Sequence, residues 1–287
     1  MVSAGLRVTG SRRRQPNVVP RRQGRIAFRR RWVAPAVVTC IAGPHALRSC
    51  ALEDVYRRDV DLLQPGQWLN DAVINYCYRC LETRFQGPRF LFMDPSVVSF
   101  MRLQCEDREE WAELAAGTNM AAREWLFVPV NDNESFDSIS SHWSLLVCHA
   151  RTGRCLHFDS HGTYNHNAAA ATADKLHELL WAQTRADPDS GLVAAVEHVR
   201  LSPQQTNGCD CGIYVLMVTE WLANALMPRP PGVNAQGEGQ EAEPEQQSQQ
   251  LLLPHCLDAL CRDMAAAVHP DAAVAFRVDA YAKIVRK

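Results

Sequence analysis

The sequence predicts a mixed α+β fold, a central sheet flanked by helices, and three observations carry that prediction. Trp125 to Val130, Trp143 to His149 and Arg154 to Phe158 are short runs rich in aliphatic and aromatic residues, separated by polar links, as expected of neighbouring strands. Gly212 to Met227 is strongly apolar and stops at Pro228, which reads as a buried helix. Between such runs, apolar residues recur at helical spacing, as at Val73, Cys77, Cys80 and Leu81.

Taken in order, residues 1–50 come first. Eleven Arg and no acidic residue lie in residues 1–52, leaving 19 basic and 32 acidic side chains for the remainder. This head reads as a disordered Arg-rich tail. A targeting segment and a phosphate-neutralising nucleic-acid arm are the weaker readings. No run approaches the roughly 18 to 20 apolar residues that cross a bilayer, and the amino terminus has no apolar secretory stretch. The expectation is therefore a soluble protein of the cytoplasm or nucleus, with organellar import through the head as the lesser alternative and no membrane partner.

Residues 51–287 read as one domain. Gln67-Trp-Leu-Asn-Asp71 leads into a helix that Asn70 or Asp71 can cap, with Cys77 and Cys80 on its inward stripe as core residues; no second pair stands at zinc-site spacing, so no metal is expected. Arg151-Thr-Gly-Arg154 reads as a hairpin link. A helix is predicted from after Thr163 to about Ala186, then a strand over Val193 to Leu201. Residues 228–250, rich in Pro, Gly, Gln and Glu and without an aromatic, read as a flexible insertion. A helix from Leu251 to about Val268 and a short basic helix near Tyr281 to Lys287 close the chain. The eleven cysteines, odd in number and mostly within apolar runs, read as reduced thiols.

A catalytic cysteine needs a neighbouring base and a setting that favours the thiolate. Asn207-Gly-Cys-Asp-Cys211 immediately precedes the apolar helix, where unpaired amides and the positive end of the helix dipole favour an anion. His142 begins a strand after a polar loop, and Asp159 ends the next strand of the same hairpin, so the two can meet and the carboxylate can orient the imidazole. Gln204 or Gln205 can supply an uncharged oxyanion donor. Spacing alone does not choose between Gln204 and Gln205, nor between Cys209 and Cys211.

Four blocks, Trp68-Leu-Asn-Asp71, His142-Trp143-Ser-Leu-Leu, Phe158-Asp159-Ser160 and Gln204-Gln205-Thr-Asn207-Gly-Cys-Asp210-Cys211-Gly212, resemble the Ulp/SENP family of ubiquitin-like-protein-specific cysteine proteases. Asn131 to Asn133 resemble the small deneddylating member in particular. The resemblance implies a papain-like cysteine protease fold of the Ulp/SENP type, with the nucleophile Cys211 at the start of a buried helix, His142 as base, Asp159 as its partner and Gln205 as the oxyanion donor. It implies that Trp68 and Trp143 wall a narrow tunnel over a diglycine tail, and that Asp71 contacts the modifier. A tunnel of indoles suits glycine because glycine has no side chain. Implied partners are a ubiquitin-like modifier, the neddylation modifier first and SUMO second, and its conjugates, cullin-type targets among them. A monomer without metal or organic cofactor is expected, and nucleic acid only through the Arg-rich tail. Cys209 departs from the family, where an aromatic residue is usual. A non-catalytic modifier-binding module and an amine acyltransferase are the rival readings; the set Cys211, His142, Asp159 and Gln205 argues against the first, and Trp68 with Trp143 against the second.

Overall fold

The apolar runs assemble into one five-stranded sheet, β1 (Phe90–Phe92), β2 (Trp125–Asn131), β3 (Trp143–His149), β4 (Cys155–Phe158) and β5 (Val196–His198), in that spatial order. β2, β3 and β4 are antiparallel, while β1 joins β2 and β5 joins β4 in parallel. The sheet is thus mixed. The structure, a computed structural model of the chain, describes residues 55–135, 138–181, 196–227 and 254–285. The Arg-rich head, residues 193–195 of the last predicted strand and the 228–250 insertion lie outside the described residues.

Every residue of β2, β3 and β4 is buried, because helices cover both faces, and a strand covered on both faces needs an unbroken apolar run. Trp125, Phe127, Leu145, Val147, Leu156 and Phe158 face one core, shared with α2 (Asp71–Arg84), α6 (Cys211–Leu226), α7 (Pro254–Ala267) and α8 (Pro270–Val285). Leu126, Val128, Val130, Leu146 and Cys148 face the other, shared with α3 (Pro95–Leu103), α4 (Arg108–Thr118) and α5 (His166–Trp181). A short α1 (Arg57–Val60) precedes them. Twelve of the sixteen residues of α6 are buried, each large aliphatic among them contributing about 1.5–3 kcal/mol, so its first residue is held by the densest part of the molecule. Tyr78 of α2 and Thr219 of α6 satisfy each other's hydroxyls inside this core, 3.0 Å apart.

Local chemistry explains the boundaries. Asn70 caps α2, its side chain accepting from the Val73 amide at 3.1 Å, which decides between the two predicted caps. Gly153 turns the β3–β4 hairpin with φ +69°, a conformation that favours glycine. Three expectations are corrected. α8 is a sixteen-residue helix, not a short terminal one. α3, α4 and β1 fall where no element was predicted; Asp94 before Pro95, and Asp107 three residues before Glu110, cap the two helices and were the readable signals. The helix after Thr163 is described from His166 to Trp181, and its expected continuation to about Ala186 lies outside the described residues. Cys148 and Cys155, directly opposed on β3 and β4, are paired as a disulfide, whereas Cys77, Cys80, Cys105, Cys209, Cys211 and Cys261 are free.

His157 on β4 is fully buried, with no hydrogen-bond partner on either ring nitrogen among the described residues. Burial is the main cause that lowers its pKa to about 4, with His198 and His166 adding to it against the attraction of Asp159. Its folded pKa lies below the unfolded value near 6.5, so the unfolded chain binds the extra proton. Stability is therefore expected to fall as pH drops from about 6.5 towards 4. Thermal melts of wild type and His157→Leu across that window check this: the variant should show a flatter dependence, and equal slopes would remove His157 as the cause.

Candidate active site

Because β3 and β4 are antiparallel, with Leu145 opposite Phe158, the residue that precedes β3 and the residue that follows β4 emerge at the same end of the sheet. These are His142 and Asp159. The His142 Nε2 lies 2.7 Å from Asp159 Oδ1, with both side chains buried. The second ring nitrogen stays clear of Asp159, and Cys211, the first residue of α6, is near enough to influence the imidazole. Burial works to lower the His142 pKa, but the influence of Asp159 and Cys211 outweighs it and pushes it up to about 9. Asp159 is held below the usual carboxylate range: burial opposes this, but His142 and the Asn165 and His161 amides at 2.9 and 2.8 Å stabilise its charge. The outcome is a negatively charged acceptor fixed behind a basic imidazole.

The glutamines differ in what their amides hold. Gln204 Nε2 donates to both Asp159 O and Ser202 O, at 2.8 and 2.9 Å, while its Oε1 accepts from the Gly162 amide. Both of its donors are spent on scaffold. Gln205 Nε2 donates to Asn207 O at 2.5 Å and its Oε1 accepts from Ser160 at 2.7 Å, which leaves one of its N–H groups without an acceptor among the described residues.

Trp68, Asp71, Trp143 and Cys211 share a groove of about 410 Å³ whose other walls include Ser96 and Ser99 from α3, Asn131 at the end of β2, and Asn133, Ser140 and Ser141 from the β2–β3 loop. Trp68 is half exposed and Trp143 buried. Backbone carbonyls fix both indoles, Trp68 Nε1 on Gly208 O at 2.7 Å and Trp143 Nε1 on Leu69 O at 3.0 Å. Asp71 accepts from Ser96 Oγ at 3.1 Å. The lip carrying Trp68 and Leu69 lies hard against the cysteine segment, since a Cβ on Gly212 would stand 3.0 Å from Leu69 Cβ. All seven residues singled out in the sequence thus stand around one corner of the sheet.

Three further residues build this corner and were not foreseen in these roles. Asp132 accepts from the Ser141 and His142 amides at 2.8 and 3.1 Å and from both serine hydroxyls, closing the β2–β3 loop onto the backbone of His142. Arg102 of α3 grips the same loop through Asn131 Oδ1 and Asn133 O. Arg277 of α8, 3% exposed, pairs with Asp210 next to Cys211. Asp132 and Asp210 were legible as polar residues at element ends, but Arg277 sits within α8, far in sequence from its partners. Cys209 is half-buried, its sulfur on Asn207 Oδ1; burial first, then Asp210, raises its pKa.

Residues 67–229 match the Ulp1 protease family, C-terminal catalytic domain. Sentrin-specific protease 8 of Mus musculus is 31% identical over 176 residues, 60% of this chain and 76% of that protein. NEDD8-specific protease 1 of Arabidopsis thaliana is 28% identical over 183 residues, 61% and 76% of the two chains. Among solved structures, a de-sumoylating protease superposes with a TM-score of 0.51 at 13% identity, covering 81% of this chain and 87% of its own, which shows a common fold. The family match covers more than half of the 287 residues and contains the cysteine, histidine and aspartate just described; the chain belongs to the Ulp1 protease family and is a cysteine peptidase.

Proposed function

We propose that this peptidase hydrolyses the peptide or isopeptide bond after the carboxy-terminal Gly-Gly of a ubiquitin-like modifier, with the neddylation modifier as its first substrate and modifier conjugates such as cullin-type targets as its source. The observation that carries the chemistry is the 2.7 Å contact of His142 with Asp159, with Cys211 at the start of α6 among the groups that raise the imidazole's pKa. His142, its pKa pushed up to about 9, takes the thiol proton of Cys211, because the thiolate and not the thiol is the nucleophile. The thiolate attacks the carbonyl of the terminal glycine. The oxyanion that forms is received by the Cys211 amide and the remaining Gln205 N–H, and His142 passes its proton to the departing amine. Water, deprotonated by His142, then releases the modifier from the thioester. Trp68 and Trp143, fixed by their indole N–H groups, narrow the groove to a chain without side chains, and Asp71 at its rim faces the modifier.

The choice of modifier is supported by the named activity of the Arabidopsis relative, a NEDD8-specific protease. Propargylamide probes of the neddylation modifier and of SUMO, added in competition to the full chain, test both parts. The expected result is an adduct mapped to Cys211 that forms faster with the neddylation probe. Absence of a Cys211 adduct with every probe would overturn the chemistry, and a faster SUMO adduct would overturn the choice of modifier.

A further inference from the structure

Aspartate is among the residues that best cap a helix, its carboxylate accepting from the free amides of the first turn. Asp210 stands at that position before α6 and makes no such cap. Both of its oxygens are taken elsewhere. Arg277 of α8 donates Nε to Asp210 Oδ1 at 2.8 Å and brings Nη2 to 2.6 Å of the same oxygen, while Asn207 Nδ2 donates to Oδ2 at 2.8 Å. The guanidinium is itself immobilised by four carbonyls: Leu62 O and Gln64 O on Nη1, and Gln67 O and Cys209 O on Nη2. Arg277 and Asp210 are buried, at 3% and 4% exposure, so the pair cannot drift into solvent.

The amides left uncapped are those of the helix start at which Cys211 stands. A carboxylate swung onto them would bond the Gly212 or Ile213 amide, cancel the positive end of the α6 dipole and place a negative charge beside the Cys211 amide, where the reaction develops one. We propose that Arg277 is a positioning residue that holds the Asp210 carboxylate away from the first turn of α6, keeping that anion site free for the oxyanion of the reaction. The inference rests on Cys211 as nucleophile. It assigns a role in the site to α8, which lies beyond the 67–229 family match, and the same guanidinium ties down Gln67 at the root of the Trp68 lip.

The test sets cap-competent side chains against cap-incompetent ones in the full chain. Arg277→Met frees Asp210 and is expected to lower kcat by about 100-fold with little change in KM, the size of effect seen on losing an oxyanion donor. Asp210→Ala combined with Arg277→Met removes the competitor and should recover about 10-fold of that loss. With Arg277 intact, Asp210→Ser, a good cap too short to be held in the same way, should turn over about 10-fold more slowly than Asp210→Ala despite a higher Tm. A merely structural Arg277 predicts the reverse ranking in both comparisons, since each faster variant has lost the better helix cap or a further contact. A double variant no faster than R277M overturns the proposal, as does a D210S enzyme as fast as D210A; if R277M does not fold, the second comparison decides alone. Probe labelling of wild-type Cys211 separates the outcomes: no adduct removes the nucleophile assignment itself, whereas a normal adduct with failed comparisons removes only the role of Arg277.

Discussion

Replacing Cys211 with alanine is expected to lower turnover by roughly five to six orders of magnitude, the scale seen when the nucleophile of a catalytic triad is removed. The loss should fall on chemistry alone. Cys211 is 2% exposed at the start of a helix with twelve buried residues, so exchanging a thiol for a methyl leaves only a small void. The groove walls belong to other segments, with Trp68 fixed by Gly208 O and Trp143 by Leu69 O. Affinity for uncleaved modifier, measured by calorimetry, should therefore stay within a few-fold of wild type. Cys209→Ala should keep activity within about threefold, because the Cys209 sulfur rests on Asn207 Oδ1; residual turnover above about 1% in C211A would point to Cys209 instead.

Asp159→Asn is the second large effect, about 10³- to 10⁴-fold in kcat, as expected when the acceptor that orients a catalytic imidazole becomes an amide. Asp159 accepts from His142 and from the His161 and Asn165 amides, and an amide that keeps one carbonyl oxygen must turn an N–H towards at least one of these donors. The substitution also removes the first of the influences that raise the His142 pKa against burial. Activity that needs protonated His142 is lost as pH rises through about 9 in the wild type, and the alkaline limb of the pH–rate profile should move to lower pH in D159N. Stability follows the same sign: a folded pKa raised above 6.5 contributes fully below 6.5 and is lost as pH climbs through about 9. Melting temperatures across that window should decline in the wild type and change less in the variant. An unmoved alkaline limb would contradict the orienting role.

The strands and the cysteine helix were legible because helices on both sides of the sheet leave no solvent face, so burial is written as unbroken hydrophobicity. His142 and Asp159 were legible for a related reason: a polar residue at the end of such a run marks where the sheet stops being core. Helices α3 and α4 were missed because their apolar faces are short, although Asp94-Pro95 and Asp107 to Glu110 mark their starts. The pairing of Cys148 with Cys155 follows from register, which the Arg151 to Arg154 link already implied. Arg277 could not be read at all. Its partners are four carbonyls and one carboxylate, at least 67 residues away in sequence, and carbonyls leave no trace in a residue alphabet.

That last contact also orders events in time. Residues of the site enter the growing polypeptide in the sequence Trp68, His142, Asp159, Cys211 and then Arg277, and α8 closes against α6 only after all the others exist. While Arg277 is still within the ribosome, Asp210 has no guanidinium to hold it. A nascent chain should therefore carry its nucleophile in a dormant form, and competence should arrive with α8 rather than with the cysteine.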